Sequence, residues 1–104
     1  MILTVTGDNY SLEVVKHKGR LLIDFYTATC PPCRMMAPIL EQIASERGEK
    51  LKVVKIDASA EQDLAVEFRV TSVPTFVLMN DGAHKAQITG LRSKKDFQKW
   101  LDEN

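Results

Sequence analysis

Cysteine, proline and glycine are all scarce in this chain of 104 residues, and its charge has no excess of either sign. In a cytosolic chain, the setting expected here, two cysteines make catalysis or metal binding a better reading than structural bridging. Five glycines and four prolines exclude collagen-like and low-complexity architectures. Fourteen basic and fourteen acidic side chains cancel, so no global field draws the chain to nucleic acid or to an anionic membrane. The longest apolar runs, Leu21-Leu22-Ile23 and Phe76 to Met79, fall far short of the ~20 residues that a membrane helix needs. Apolar residues at 44% and charged residues at 27% match an ordinary globular domain, whereas a disordered chain would be poorer in the first and carry a net charge. The length predicts one domain over 1–104. Met1 to Thr6 has no basic n-region, long apolar stretch or small-residue cleavage site, so the expected location is the cytoplasm.

No repeat or linker interrupts the chain. Ile2–Thr6 is a short β-branched run, and Gly7-Asp8-Asn9 is turn and cap chemistry. Tyr10–Lys18 then reads as a modest helix stopped by Gly19. Leu21–Tyr26 is nearly continuous apolar, as in a strand buried on both faces, apart from Asp24. A long helix starts at the cysteines, keeps its period through Met36, Ile39, Leu40 and Ile43, and stops at Gly48; Pro38 inside it predicts a kink. Leu51–Ile56 is the next strand, and Ser59 with Gln62 has capping-box spacing for a short helix through Phe68. Thr75–Met79 is another strand, Asn80-Asp81-Gly82 a hairpin turn, and His84–Thr89 the returning strand. Ser93 with Asp96 caps a last helix whose Phe97, Trp100 and Leu101 face the core.

The order is βαβαβαββα. Strands joined by helices are expected to pair in parallel, and the final hairpin adds antiparallel pairing, which gives an α/β fold with a mixed sheet. A flavodoxin-like fold would keep a helix where Asn80-Asp81-Gly82 stands.

Cys30-Pro31-Pro32-Cys33 is the most informative segment. At a helix start the first cysteine meets free N–H groups and the macrodipole, which favour a thiolate. The second lies one turn inside, within disulfide reach and shielded from solvent, so an exposed Cys30 would attack a disulfide and a buried Cys33 would resolve the mixed disulfide. Pro31 and Pro32 suit first-turn positions, which need no helical N–H donor. A structural zinc site needs four ligands, and only the isolated His17 and His84 remain to complete one. A structural disulfide closing so small a loop contributes little. Asp24 in an apolar strand is costly without partners, and burial should raise its pKa.

With Asp24-Phe25-Tyr26 leading into Cys30-Pro31-Pro32-Cys33-Arg34, then Ala37-Pro38, the chain resembles the active-site segment of the thioredoxin family. Val73-Pro74-Thr75 resembles that family's cis-proline loop, and Asn80-Asp81-Gly82 with Gly90 its final hairpin. The resemblance covers essentially the whole chain and implies a thioredoxin fold, a sheet of five strands flanked by helices on both faces. It implies a protein-disulfide reductase with Cys30 as nucleophile, Cys33 as resolving thiol, Asp24 as proton acceptor for Cys33 and Lys55 beside that carboxylate. Thr29, Pro31, Val73, Pro74 and Gly90 would meet the substrate, with a cis bond at Val73-Pro74. The implied partners are disulfide-containing proteins and a thioredoxin reductase or equivalent electron donor, with no organic cofactor or metal and the chain acting as a monomer.

The sequence departs from the family's usual Trp-Cys-Gly-Pro-Cys at Thr29 and Pro31, and Tyr26-Thr27 stands where tryptophan and alanine are common. Those changes bear on partner range and redox potential, not on exchange chemistry. Pro31 deletes an N–H near the thiolate, whereas proline-first pairs resemble the more oxidising members of the family. An oxidase or isomerase and a non-catalytic adaptor on the same fold therefore stay open at this point.

Overall fold

The structure, a computed structural model, describes residues 2–104. Strand β1 is Leu3–Thr4, shorter than the predicted Ile2–Thr6. A single π-helical turn over Ser11–Val15 replaces the helix predicted for Tyr10–Lys18. Asn9 turns its Oδ1 back to the Thr6 N–H at 2.8 Å, no side chain caps the turn, and only Val14 in it is buried. Little therefore repays the cost of nucleating a longer helix there. Strand β2 (Arg20–Tyr26) follows, then helix α1 (Pro31–Arg47), which continues past Pro38, and a 3₁₀ turn at Gly48–Lys50.

Strand β3 (Lys52–Asp57) leads to helix α2 (Gln62–Glu67). The predicted capping box does not form. Asp57 Oδ1 takes the N–H groups of Ser59 and Ala60 at 2.9 and 3.3 Å, and Gln62 Nε2 reaches the Ser59 carbonyl at 3.2 Å. The carboxylate two residues upstream engages the local donors, and the helix opens three residues after Ser59. Strands β4 (Thr75–Asn80) and β5 (Ala83–Thr89) form the hairpin, and helix α3 (Lys94–Glu103) closes the chain. Its predicted cap is present, with Ser93 Oγ accepting from the Asp96 N–H at 3.1 Å.

The sheet order is β1-β3-β2-β4-β5. Strands β1, β3 and β2 are mutually parallel, but β4 is antiparallel to β2, so the expectation of parallel pairing across every helix fails at α2. Six helical residues rise only about 9 Å, whereas the six of β3 advance about 20 Å. Helix α2 cannot carry the chain back along the sheet, and β4 enters from the end at which β3 leaves. That reversal gathers the C-terminal ends of β2 and β3 and the start of β4 at one edge.

Each face of the sheet has its own core. Leu21, Ile23 and Phe25 of β2 join Val14, Val54, Ile56, Ala65 and Val77 on one side. Leu22 joins Met36, Leu40 and Ile43 of α1, Phe76 of β4, and Phe97 and Leu101 of α3 on the other. Trp100 packs at the margin of that second core, its ring centroid 5.4 Å from that of Phe97. Alternation along β2 puts Asp24 on the Leu22 side, beneath α1.

Asp81 and Gly82, with φ of 51° and 80°, are the two loop residues between the paired Asn80 and Ala83. Positive φ at both suits the twist of a tight hairpin, and a Cβ on Gly82 would lie 2.8 Å from the Val15 carbonyl oxygen. Asp81 also anchors the hairpin to the start of β2, its Oδ1 accepting from Gly19 N–H at 2.7 Å. Farther along, Met79 pairs with His84 but Leu78 pairs with Ala86, which leaves Lys85 as the extra residue of a bulge. The one-residue shift sets Thr75 opposite Thr89.

Candidate active site

Cys30 is the N-cap of α1 and has extended backbone angles. Pro31 and Pro32 at the first two helical positions carry no N–H, so the Cys33 N–H is the one that reaches back, 3.1 Å from Cys30 Sγ. The two sulfurs form a disulfide with the Cα atoms 5.2 Å apart. Cys30 and Cys33 are 7% and 6% exposed, so the expected contrast between an exposed and a shielded sulfur is absent in this oxidised state. Their surroundings, not their exposure, tell them apart.

Cys30 faces the loop before β4. The Val73 carbonyl oxygen lies 3.7 Å from its Sγ, and the Val73–Pro74 bond is cis, as the resemblance implied. Thr75 holds this loop, donating to the Ser72 carbonyl at 2.7 Å and sharing a 2.9 Å hydrogen bond with the Thr89 hydroxyl. Gly90 closes the arrangement, its N–H donating to the Pro74 carbonyl at 2.9 Å. Its φ of +103° favours glycine. Cys30, Val73, Pro74 and Gly90 are thus brought together, with Thr29 and Pro31 exposed at the rim. An open groove of about 350 Å³ continues from Val73 past Thr71, Val66, Ala58 and Thr27.

Cys33 faces inward. It lines a cavity of about 180 Å³ together with Asp24, Tyr26, Arg34, Ala37 and Lys55. Asp24 is buried, and its Oδ1 has no hydrogen-bond partner among the described residues. Burial pushes its carboxyl up to about 7, against a smaller opposing pull from the Lys55 ammonium. Lys55 stands directly opposite Asp24 in the β2–β3 register. Among the described residues no ion pair joins the two; Lys55 Nζ lies 5.8 Å from the centroid of the Tyr26 ring. Arg34 is exposed and directs Nη1 toward the Ala28 carbonyl at 3.4 Å.

The family of the chain follows from its whole length. The family model described as Thioredoxin matches residues 1–103. The chain belongs to the thioredoxin family. It is 40% identical over 103 residues to the thioredoxin of Mycolicibacterium smegmatis, covering 97% of this chain and 92% of that protein. It is 35% identical over 103 residues to the thioredoxin of Bacillus subtilis (strain 168), covering 99% and 97% of the two chains. Thioredoxin C-2 of Corynebacterium nephridii is 30% identical over 103 residues, covering 99% of this chain and 95% of its own. Thioredoxins are protein-disulfide oxidoreductases, and the Cys30–Cys33 disulfide has the spacing and helix-start position of a redox pair.

Several contributors to this site are silent in the sequence. The Thr75–Thr89 hydroxyl pair depends on the bulge at Lys85, which no turn residue announces. The groove residues Ala58, Val66 and Thr71 come from loops and a short helix with no motif of their own. Tyr26 was legible only as a departure from the family's tryptophan; two residues after Asp24 in a strand, its sharing of that face was predictable. Among the described residues no three His, Cys, Asp or Glu side chains cluster to hold a metal, and no helix is long and apolar enough to cross a membrane.

Proposed function

We propose that this member of the thioredoxin family reduces protein disulfides through Cys30 and Cys33, acting as a single-domain monomer over 1–104 in the cytoplasm. The observation that carries the reading is the placement of the two sulfurs. One meets the Val73 carbonyl at the protein edge, and the other opens on the cavity of a buried, unpaired carboxyl.

In the reduced protein, the helix start and the Cys33 N–H favour Cys30 as thiolate. Cys30 Sγ attacks one sulfur of the substrate, the substrate S–S bond breaks, and the departing thiolate takes a proton from solvent. An extended segment of the substrate lies against Val73 and Pro74, with Gly90, Thr29 and Pro31 at its sides. Cys33 then loses its proton to the Asp24 carboxylate, and the cavity between them has room for water to bridge the transfer. Cys33 Sγ attacks Cys30 Sγ and expels the second substrate thiolate. Two electrons have passed to the substrate, and the pair is left as the disulfide seen here.

A thioredoxin reductase or equivalent donor must return those electrons before another cycle. The chemistry calls for no organic cofactor or metal in this chain. Lys55 acts on the Asp24 carboxyl, which its charge pulls down against the effect of burial. Reduction of insulin by dithiothreitol tests the reading: the protein should accelerate it, and Cys30→Ser should abolish the acceleration. Equal rates with and without the protein would refute the proposal and favour an adaptor whose sulfurs are idle.

A further inference from the structure

We infer that Tyr26 is a positioning residue of the site, holding the Lys55 ammonium over its ring and so keeping it from pairing with the Asp24 carboxyl. The inference rests on the proposed function for its importance to catalysis, though not for its geometry.

Asp24 and Lys55 are direct cross-strand partners on the parallel strands β2 and β3, which brings the two opposite charges within reach of each other. They do not form an ion pair, and among the described residues Asp24 Oδ1 stays without a partner. The ammonium is found instead 5.8 Å from the Tyr26 ring centroid, within the range of a cation–π contact. Tyr26 is two residues beyond Asp24 on the same face of β2, and all three side chains line one cavity. The phenol is held above its usual range by burial first, then by Asp57 and Asp24, so the ring stays neutral at physiological pH.

The other neighbours do not compete for Asp24. From α1, Cys33 is tied in the disulfide, and the Arg34 guanidinium is directed to the Ala28 carbonyl. From β4, the residue opposite Asp24 is Phe76. Asp57, next on the same face of β3, uses its Oδ1 for the Ser59 and Ala60 N–H groups. Lys55 is therefore the cation whose placement decides whether the carboxyl is paired. A ring that holds it aside keeps Asp24 able to take and return a proton near neutral pH, where a firm ion pair would fix it as carboxylate.

The test is an NMR titration of the Asp24 carboxyl in the oxidised full chain, in parent, Tyr26→Phe and Tyr26→Leu, each also carrying Lys55→Met. With Lys55 present, Tyr26→Leu should lower the titration midpoint by about half a pH unit, the size that a cation–π contact supports. Tyr26→Phe keeps the ring and should leave the midpoint in place. In the Lys55→Met background, Tyr26→Leu should change nothing.

An equal shift from Tyr26→Leu in both backgrounds would overturn the inference, because the ring would then act only by excluding solvent. No shift in either background would overturn it too. If Tyr26→Leu does not fold, Tyr26→pentafluorophenylalanine keeps the shape and inverts the ring's charge distribution. It should give the same downward shift, and an unmoved midpoint would refute the inference. The pH profile of insulin reduction separates this idea from the one it rests on. A midpoint that moves while the profile does not would count against Asp24 as proton acceptor and still support the assignment of Tyr26.

Discussion

Replacement of Asp24 by asparagine keeps the side chain's shape and removes a buried group that titrates. The carboxyl sits near 7 in the fold against 3.8 as an ordinary aspartate, because burial outweighs the attraction of Lys55. An acid that holds its proton more tightly when folded makes the native state bind more protons between those two values. Stability then falls as pH rises through that window and is level on either side of it. About three pH units at about 1.4 kcal/mol each give a loss on the order of 4 kcal/mol, a large share of a small domain's stability. Asp24→Asn should escape that loss. Any cost of burying its amide is independent of pH, so the change of the difference with pH is the quantity to read. Urea unfolding of the oxidised proteins from pH 4 to pH 9, where neither cysteine titrates, measures it. The advantage of the variant should grow by several kcal/mol between pH 4 and pH 8 and then stop growing. A constant difference across the whole range would refute the buried-carboxyl argument.

Other outcomes follow from the same contacts. Asp24→Asn should slow insulin reduction at neutral pH and flatten its pH profile; an unchanged profile would remove the carboxyl from the mechanism. Pro31→Gly restores an N–H at the first helical position, beside Cys30 Sγ, and should shift the midpoint potential measured against dithiol buffers. No shift would remove the dipeptide from the explanation. Thr75→Val leaves the Ser72 carbonyl and the Thr89 hydroxyl short of a partner and should cost about 1–3 kcal/mol in urea unfolding. Ser93→Ala deletes the cap of α3, with an expected cost of about 1 kcal/mol by the same method. A loss below a few tenths in either variant would contradict the bond assigned to it.

The parts of the fold legible in advance were those whose chemistry is local. Asp81-Gly82 forces a hairpin because both residues accept positive φ, and Ser93 caps α3 because its hydroxyl has no stronger rival nearby. Ser59 has a rival in Asp57, and its capping box gave way. The parallel pairing expected at β4 gives way because the six residues of α2 are too few to carry the chain back along the sheet. The helix predicted for Tyr10–Lys18 failed for want of an apolar stripe, with Leu12 and Val15 exposed and Val14 alone buried in the turn.

The site divides in the same way. Cys30, Cys33 and Asp24 stood out by type and spacing, Val73-Pro74 and Gly90 only through the family resemblance, and all lie at the edge where β2 ends and β4 begins. The resemblance put Lys55 beside Asp24, and the register sets the two directly opposite, while a bulge that no residue announces makes Thr75 face Thr89. The position of an ammonium over a ring, not on the carboxylate opposite it, is a three-dimensional competition with no signature in spacing.

The central claim is that Cys30 attacks and Cys33 resolves. It is tested most directly by mixing reduced Cys33→Ser with a disulfide-containing protein and mapping the product by mass spectrometry without reductant. The account predicts a stable mixed disulfide through Cys30, absent from the parent because Cys33 releases it. Release of reduced substrate by Cys33→Ser at the parent rate, or failure of Cys30 to form any adduct, would contradict it.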